Sequence, residues 1–435
     1  MEISDKIPEH GTIGFITIGC RSNQADTAAM ISSLRGKFSE VDVFSTDQLC
    51  DFIVVNTCTV TSRAEVDARK LLRRAKRLHP DAVVIVTGCA VQVESAKWLE
   101  MPEVDHVIGI TDRDRILEIF ESHKFSGISA ITRPSGGVTG ETPIAGHRSR
   151  PFLKIQDGCT RGCAYCIVPK ARGPERSRPW EFIERDLRKF SEIGYREIVL
   201  TGIHLGRWGT DLGLNFSDLL DSIDKLEIDS RIRLSSLEPM DLSPDLVAKI
   251  LTTRKICPHI HIPLQSGDQS ILDSMGRGHT IQEYISLIET AKVISPESAI
   301  GTDLIVGFPG ENDKTHQNTL DLIKSLPFSY LHIFSYSPRT GTRASVFPNK
   351  PKGEDVRSRM RSLKALDRSK RQAFTESQDG KIRDFLIETH ENPKSPVTAL
   401  SDNYIRITIR DSVLQSCIGN VVPIRIDNKN ALIRE

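Results

Sequence analysis

Residues 152–166, FLKIQDGCTRGCAYC, decide how the rest of the chain is read. Phe152 to Gln156 is a strand candidate, and the polar loop after it sets three thiols at the spacing Cys159-x3-Cys163-x2-Cys166. Such a loop can wrap three thiolates around one centre. A structural zinc site wants four protein ligands, whereas a 4Fe-4S cubane held by three cysteines leaves one iron open for an outside ligand. The spacing favours the cluster over a zinc loop with a remote fourth ligand, or over three unrelated thiols.

Working outward, further strand candidates at Glu197 to Thr201, Arg231 to Ser235, His259 to Ile262, Ile300 to Val306 and Leu331 to Tyr336 alternate with helical stretches. Six βα-like units predict an open or partial barrel. Upstream, the apolar runs Ile13 to Ile18, Phe52 to Val55 and Ala82 to Val86 are separated by the helical patterns Ser22 to Leu34 and Ser62 to Leu78. That order predicts a parallel α/β sheet. Residues 133 to 149 are rich in Pro, Gly, Ser and Thr and read as a linker. Residues 351 to 374 are basic and helical in pattern. After them come short β-rich runs, Asp384 to Glu388, Pro396 to Ala399, Tyr404 to Ile409, Val421 to Ile426 and Ala431 to Ile433, which fit a small all-β barrel. The expected class is α/β. The divisions are an N-terminal parallel domain over 1–128, a linker over 129–148, a partial (β/α)6 barrel over 149–375 and the β-rich tail over 376–435.

Each of the three early strands is followed at once by a cysteine: Cys20 in ITIGC, Cys58 in VVNTC and Cys89 in IVTGC. Open parallel sheets bind ligands at the carboxyl ends of their strands, so these three converge on one spot and form a second three-thiol set. Cys50, Cys257 and Cys417 lack partners at ligand spacing and read as core. With 435 residues, 38% hydrophobic and 26% charged, the chain is long enough for several cores and is not disordered in composition. Its net charge of +1 supplies no global attraction to nucleic acid, so any basic surface is local. No eighteen-residue apolar run occurs and the opening MEISDKIPEHG lacks a secretory signal. A soluble, cytoplasmic protein without a membrane partner is expected, and that compartment argues for metal thiolates over disulfides.

The pattern DGCTRGCAYC resembles the radical SAM superfamily, in which Cys159, Cys163 and Cys166 would hold the catalytic cluster and its open iron would chelate S-adenosylmethionine (SAM). Tyr165 stands at the aromatic position of that motif. Other strand ends of the same domain carry matching cues at the edge where barrel enzymes build their sites. Thr201-Gly202-Ile203 would let backbone approach the methionine part of SAM. Ser235 and Glu238 in LSSLEP would contact its ribose, and Ile305-Val306-Gly307 would line its adenine. The alternative reading makes Gly202 and Gly307 turn glycines and Ser235 a strand-end cap.

The pairing of both cysteine sets with a β-rich tail resembles the methylthiotransferase family, whose members join a three-cysteine domain, a radical SAM core and an RNA-holding TRAM barrel. The likeness runs through TIGCRSNQADT, NTCTVTSRAE, LTGIHLG, RLSSLEP, HIHIPLQSGD, DLIVGFPGE and HIFSYSPRTGTRA, and weakens between 125 and 147. It implies two 4Fe-4S clusters, the second on Cys20, Cys58 and Cys89. It further implies SAM, a tRNA substrate, a reducing partner such as a flavodoxin or ferredoxin, and a source of sulfur. Thr59-Val60-Thr61, Arg172-Gly173-Pro174 and His259-Ile260-His261-Ile262-Pro263 resemble the members acting on carbon 2 of N6-threonylcarbamoyladenosine at tRNA position 37. Other members act on isopentenyladenosine in tRNA or on an aspartate of a ribosomal protein. Arg21-Ser22 and Ala90-Val91 depart from the usual pattern of the group. A noncatalytic iron-sulfur protein that binds RNA is the rival from another class. Two basic stretches, residues 69 to 77 and Lys170 to Arg178, are read as possible phosphate contacts, the second more strongly because it borders the cysteine loop.

Overall fold

Phe52–Thr57 and Val83–Gly88 are buried along almost their whole length, a pattern that belongs to parallel sheets covered by helices on both faces. The computed structural model describes residues 11–38, 40–44, 50–121, 127–128, 149–388 and 396–427. Its N-terminal sheet contains β1 (Thr12–Thr17), β2 (Glu40–Val43), β3 (Phe52–Thr57), β4 (Val83–Gly88), β5 (His106–Ile108) and β6 (Gly127–Ile128). All pair in parallel, in the order β2-β1-β3-β4-β5-β6. Ile53, Val55, Val84 and Val86 pack with Leu72 and Ala75 of the helix Ser62–Leu78. Phe15, Val54 and Ile85 pack on the other face with Met30 and Leu34 of the helix Arg21–Leu34. The expected linker, residues 129–148, lies outside the described residues.

The second domain begins with β7 (Phe152–Lys154). The strand expected to reach Gln156 breaks there, because β8 (Gln156–Asp157) turns away to pair antiparallel with β9 (Arg176–Ser177). That ribbon brackets the cysteine loop. Gly158, at φ +77°, is confined between its ends, since an added Cβ would lie 1.8 Å from the Pro174 carbonyl oxygen. β10 (Glu197–Thr201), β11 (Arg231–Leu234), β12 (His259–His261), β13 (Ala299–Val306) and β14 (Tyr330–Ser335) complete the series. They form two parallel three-stranded sheets, β7-β10-β11 and β12-β13-β14, and an isolated bridge ties Ile232 of β11 to Ile256 in the segment leading into β12. Leu153, Leu200, Leu234, Ile260, Ile300 and Leu331 share one core, as a partial (β/α)6 barrel requires.

The helix Gly353–Ser377 lies against β14, and Arg359 anchors it through Glu311 and Asp313 at 2.8 and 2.9 Å. The tail contains β15 (Ile382–Glu388), β16 (Thr398–Ser401), β17 (Arg406–Thr408) and β18 (Val421–Arg425), antiparallel in the order β17-β16-β15-β18. The expected fifth run, Ala431 to Ile433, lies outside the described residues, so the described tail is a sheet and its closure into a barrel is not seen. Glu197 of β10 accepts from Arg233 at 2.6 and 2.9 Å and from Arg231 at 2.7 Å. Both arginines then reach across to tail carbonyls, Arg233 to Ser401 and Asp402 and Arg231 to Asp384 and Leu400. Burial alone would raise the Glu197 carboxyl, but the guanidiniums of Arg233, Arg231 and Arg150 hold it well below the usual range.

Breaking a buried pair by removing one partner costs about 3–5 kcal/mol. Glu197→Ala should destabilise the protein by that order in urea denaturation and speed hydrogen exchange in β16 and β17. A loss under about 1 kcal/mol, the worth of a surface pair, would remove Glu197 as the anchor of the tail.

Candidate active site

Cys159, Cys163 and Cys166 lie on the loop between β8 and β9 and are pinned from several sides. The Cys159 N–H donates to the Gly173 carbonyl at 2.9 Å, and Ala164 bridges Met275 and Ala344 through its own N–H and C=O at 2.7 and 2.8 Å. Burial pushes the Cys166 thiol up to about 12, and the neighbouring Cys163 and Cys159 sulfurs add to it. Burial likewise raises Cys163, against the pull of Arg277, whose Nη1 stands 3.7 Å from its sulfur. Cys163 and Cys166 are therefore poor acids alone. They suit a cationic centre, which deprotonates coordinating thiols outright.

The other expected residues divide. Tyr165 accepts from Arg277 at 3.4 Å, and Arg277 is also ion-paired with Glu238, so both sit beside the cysteine loop. Ser235 is buried, and its hydroxyl has no hydrogen-bond partner among the described residues, as a ligand-contacting group would. Ile305 donates to the Gln265 carbonyl and packs near Tyr165. The two glycines have occupants of their own. A Cβ on Gly202 would meet Gln156 at 3.0 Å, and one on Gly307, at φ +84°, would meet Val356 at 2.7 Å. Chain packing by itself explains both.

Sequence reasoning missed His204, Glu175, Asp241 and Arg277. His204 Nδ1 lies 3.5 Å from the Cys159 sulfur, while its Nε2 pairs with Asp241. Glu175 accepts from the Thr160 N–H and hydroxyl at 2.9 Å or less, fixing the residue after Cys159. His204 lies in LTGIHLG, two residues after Gly202, where a lone histidine has no spacing that marks it as a neighbour of Cys159. Nothing in the sequence marked Arg277, because its partner Glu238 lies 39 residues away.

Cys20, Cys58 and Cys89 come together at the carboxyl ends of β1, β3 and β4. Gly19 at φ +117° is required there, as a Cβ would lie 2.6 Å from Cys58 Cβ. Burial raises the Cys58 thiol to about 12, with Cys89 and Cys20 contributing by repulsion. Asn23 ties the two loops by donating to the Ile18 and Thr57 carbonyls, both at 2.9 Å. Cys20 also precedes the helix Arg21–Leu34, whose N-terminus favours a negative group. This trio fits a second three-cysteine centre. Cys50 and Cys257 are buried, the latter at 3% exposure, and Cys417 packs on the tail core, away from either set.

The phosphate reading of Lys170 to Arg178 needs correction. Arg172, Arg176 and Arg178 are 0%, 9% and 5% exposed, and they pair with Asp157, Asp26 and Asp186. Arg172 joins the domains through Asp26, and Arg172 and Arg176 brace the loop through Asp157. On residues 69 to 77, Arg69 stacks over Trp98 and Arg73 and Lys76 pair at the surface with Glu103 and Asp105.

The Radical SAM superfamily profile matches residues 153–323, and that of Uncharacterized protein family UPF0004 matches residues 12–109. The radical SAM methyltransferase TsrM of Kitasatospora setae shares the fold, with a TM-score of 0.57 at 12% identity over 78% of this chain and 77% of that one. Fold, profile and cysteine loop together define a radical SAM enzyme. Threonylcarbamoyladenosine tRNA methylthiotransferase MtaB of Aquifex aeolicus is 38% identical over 91% of this chain and 96% of its own length. The tRNA-2-methylthio-N(6)-dimethylallyladenosine synthase of Carboxydothermus hydrogenoformans is 33% identical over 86% and 87%. The chain therefore belongs to the methylthiotransferase family of radical SAM enzymes.

Burial alone would lower His204, but Asp241 and the Cys159 sulfur hold it up at about 9, above the ordinary 6.5. A raised folded value means its stabilisation is complete below pH 6.5 and is lost as pH rises through 9. His204→Gln should flatten the stability of the iron-free protein across that window in denaturant unfolding. An unchanged slope would take His204 out of the support of the loop.

Proposed function

We propose that this chain attaches a methylthio group to carbon 2 of N6-threonylcarbamoyladenosine at position 37 of tRNA, using SAM and two 4Fe-4S clusters. The observation that carries the proposal is the presence of two separate three-cysteine sets, each gathered at one place in the fold and each one ligand short of closing a cubane. Bound there, the clusters would supply SAM cleavage at Cys159, Cys163 and Cys166, and sulfur delivery at Cys20, Cys58 and Cys89. The protein's task is placement. Arg277 holds Tyr165 and Glu238 beside the loop, Ser235 offers its hydroxyl to the nucleoside part of SAM, and the buried barrel keeps water away. Ile305 would contribute apolar wall to the adenine. Gly202 and Gly307 would act by allowing close packing and not by touching SAM themselves.

The likeness over nine-tenths of both chains to the Aquifex enzyme supports the threonylcarbamoyl substrate. The likeness to the Carboxydothermus synthase favours a second reading, methylthiolation of the dimethylallyl nucleoside. The reading is of a cytoplasmic enzyme that receives electrons from a flavodoxin- or ferredoxin-like reductant and sulfur from a separate donor. No helix among the described residues is long and apolar enough to cross a membrane. The tail would hold tRNA through shape more than charge: Lys381 and Arg383 pair with Glu297, and Arg406 with Glu388. Deleting the tail is a poor test, because it would strand Arg231 and Arg233. Exposed Arg410 is the better target, and Arg410→Glu should weaken tRNA binding while SAM cleavage persists.

Anaerobically reconstituted protein should bind about eight irons, two cubanes' worth, and alanine at Cys159, Cys163 and Cys166 together should leave half. Loss of all iron from that folded variant would overturn the two-cluster reading. Cys58→Ala should abolish methylthiolation yet still produce deoxyadenosine from SAM. Mass spectrometry of tRNA nucleosides from a deletion strain decides the substrate. Loss of the methylthio threonylcarbamoyl nucleoside supports the proposal, and loss of the dimethylallyl product alone replaces it with the second reading.

A further inference from the structure

Arg172 ends the short helix Val168–Arg172, is wholly buried, and has a hydrogen-bond partner at each of its three guanidinium nitrogens. Nη1 forks onto the two Asp157 oxygens at 2.9 and 3.0 Å. Nη2 reaches Asn23 Oδ1 at 2.6 Å and Asp26 Oδ2 at 2.9 Å. Nε stands 3.2 Å from the Cys89 sulfur. Asp157 lies two residues before Cys159, and Asn23 three after Cys20. One barrel side chain therefore meets the supports of both cysteine sets and a sulfur of one.

Charge counting shows what the arrangement lacks. Asp26 and Asp157 bring two negative charges, while Lys154 and Arg113 already pair with them. Arg172 is a third cation, and Arg176, 3.7 Å from Asp157, is a fourth. A buried excess of positive charge is expensive unless an anion faces it. The group on the open side of Arg172 is the sulfur of Cys89, so the excess suits an anionic, thiolate-held centre there.

We infer that Arg172 is a positioning residue for the N-terminal centre: its Nε–H donates to the Cys89 sulfur and raises the reduction potential of the iron-sulfur group held there. This rests on the reading of Cys20, Cys58 and Cys89 as cluster ligands. Adding an electron makes such a group more negative, so a hydrogen bond to its sulfur favours the reduced form. The barrel domain thereby tunes a centre whose ligands all belong to the other domain.

The test compares two lysine variants of the full-length protein, reconstituted anaerobically with iron and sulfide and titrated electrochemically with EPR detection. Arg172→Lys keeps the charge, but an ammonium cannot fork onto Asp157 and Asp26 and still reach the sulfur. Arg339→Lys is the control. Arg339 clamps the same domain junction, donating to Thr59 at 2.6 Å and pairing with Glu65, without a hydrogen bond to sulfur. The expected result is a downward shift of the N-terminal midpoint in Arg172→Lys alone, with the midpoint of the loop cluster unchanged. An unchanged midpoint in Arg172→Lys, or an equal shift in Arg339→Lys, overturns the proposal. Should Arg172→Lys fail to fold by circular dichroism, the charge-neutral double variant Arg172→Gln with Asp157→Asn carries the same expectation and the same refutation. If instead Cys89→Ala keeps its full iron, the ligand reading itself fails, an outcome distinct from either.

Discussion

Two carboxylates that water cannot reach, Asp26 and Asp157, organise this molecule. Burial alone would drive both toward their neutral forms, yet Lys154, Arg172 and, for Asp26, Arg113 hold them well below the usual carboxylate range. Asp26 comes from the helix after Cys20 and Asp157 from the strand before Cys159, so the cations that bind them staple one domain onto the other. A dry ion pair loses much of its Coulombic gain to desolvation. The worth of this one lies in where it fixes things. It sets the spacing of the two thiol sets.

The Arg339 contact is a second clamp between the same two domains. There the N-terminal loop after Cys58 is held by Thr59, Ser62 and Glu65 against Ser337 and Arg339 of the barrel. Both buried cysteines of the N-terminal set therefore have a barrel arginine at their shoulder. Cys20, the exposed member, has Arg21 beside it, whose Nη2 lies 3.3 Å from the Tyr404 hydroxyl of the tail. All three domains thus touch the surroundings of one centre.

Much of this was legible from the chain. The long apolar strands β1, β3, β4 and β13 and the amphipathic helices between them follow directly from hydrophobic periodicity, and the cysteines stand out by spacing. β2, β5 and β6 escaped because two to four residues carry no period, and β8 because its pairing with β9 is decided by residues 19 and 21 positions apart. The arginines of Lys170 to Arg178 were misjudged for a physical reason. A basic run looks the same whether it faces phosphate or buried carboxylates, and Asp26 and Asp157 lie too far off in sequence to announce themselves as partners. Arg277 and His204 were hidden likewise, since their roles come from neighbours that only the fold supplies.

The bracing of each cysteine set by the neighbouring domain bears on how such a protein can be taken apart or recombined. Grafted onto a foreign barrel, the N-terminal domain would carry its three thiols but leave behind the guanidinium that faces Cys89. The barrel expressed alone would keep its cysteine loop yet present Arg172 and Lys154 without Asp26. A hybrid cut at the linker would keep these counter-charges only where the incoming domain brings its own, so Asn23, Asp26, Asp157 and Arg172, and not the domain boundary, set which exchanges leave both cysteine sets braced.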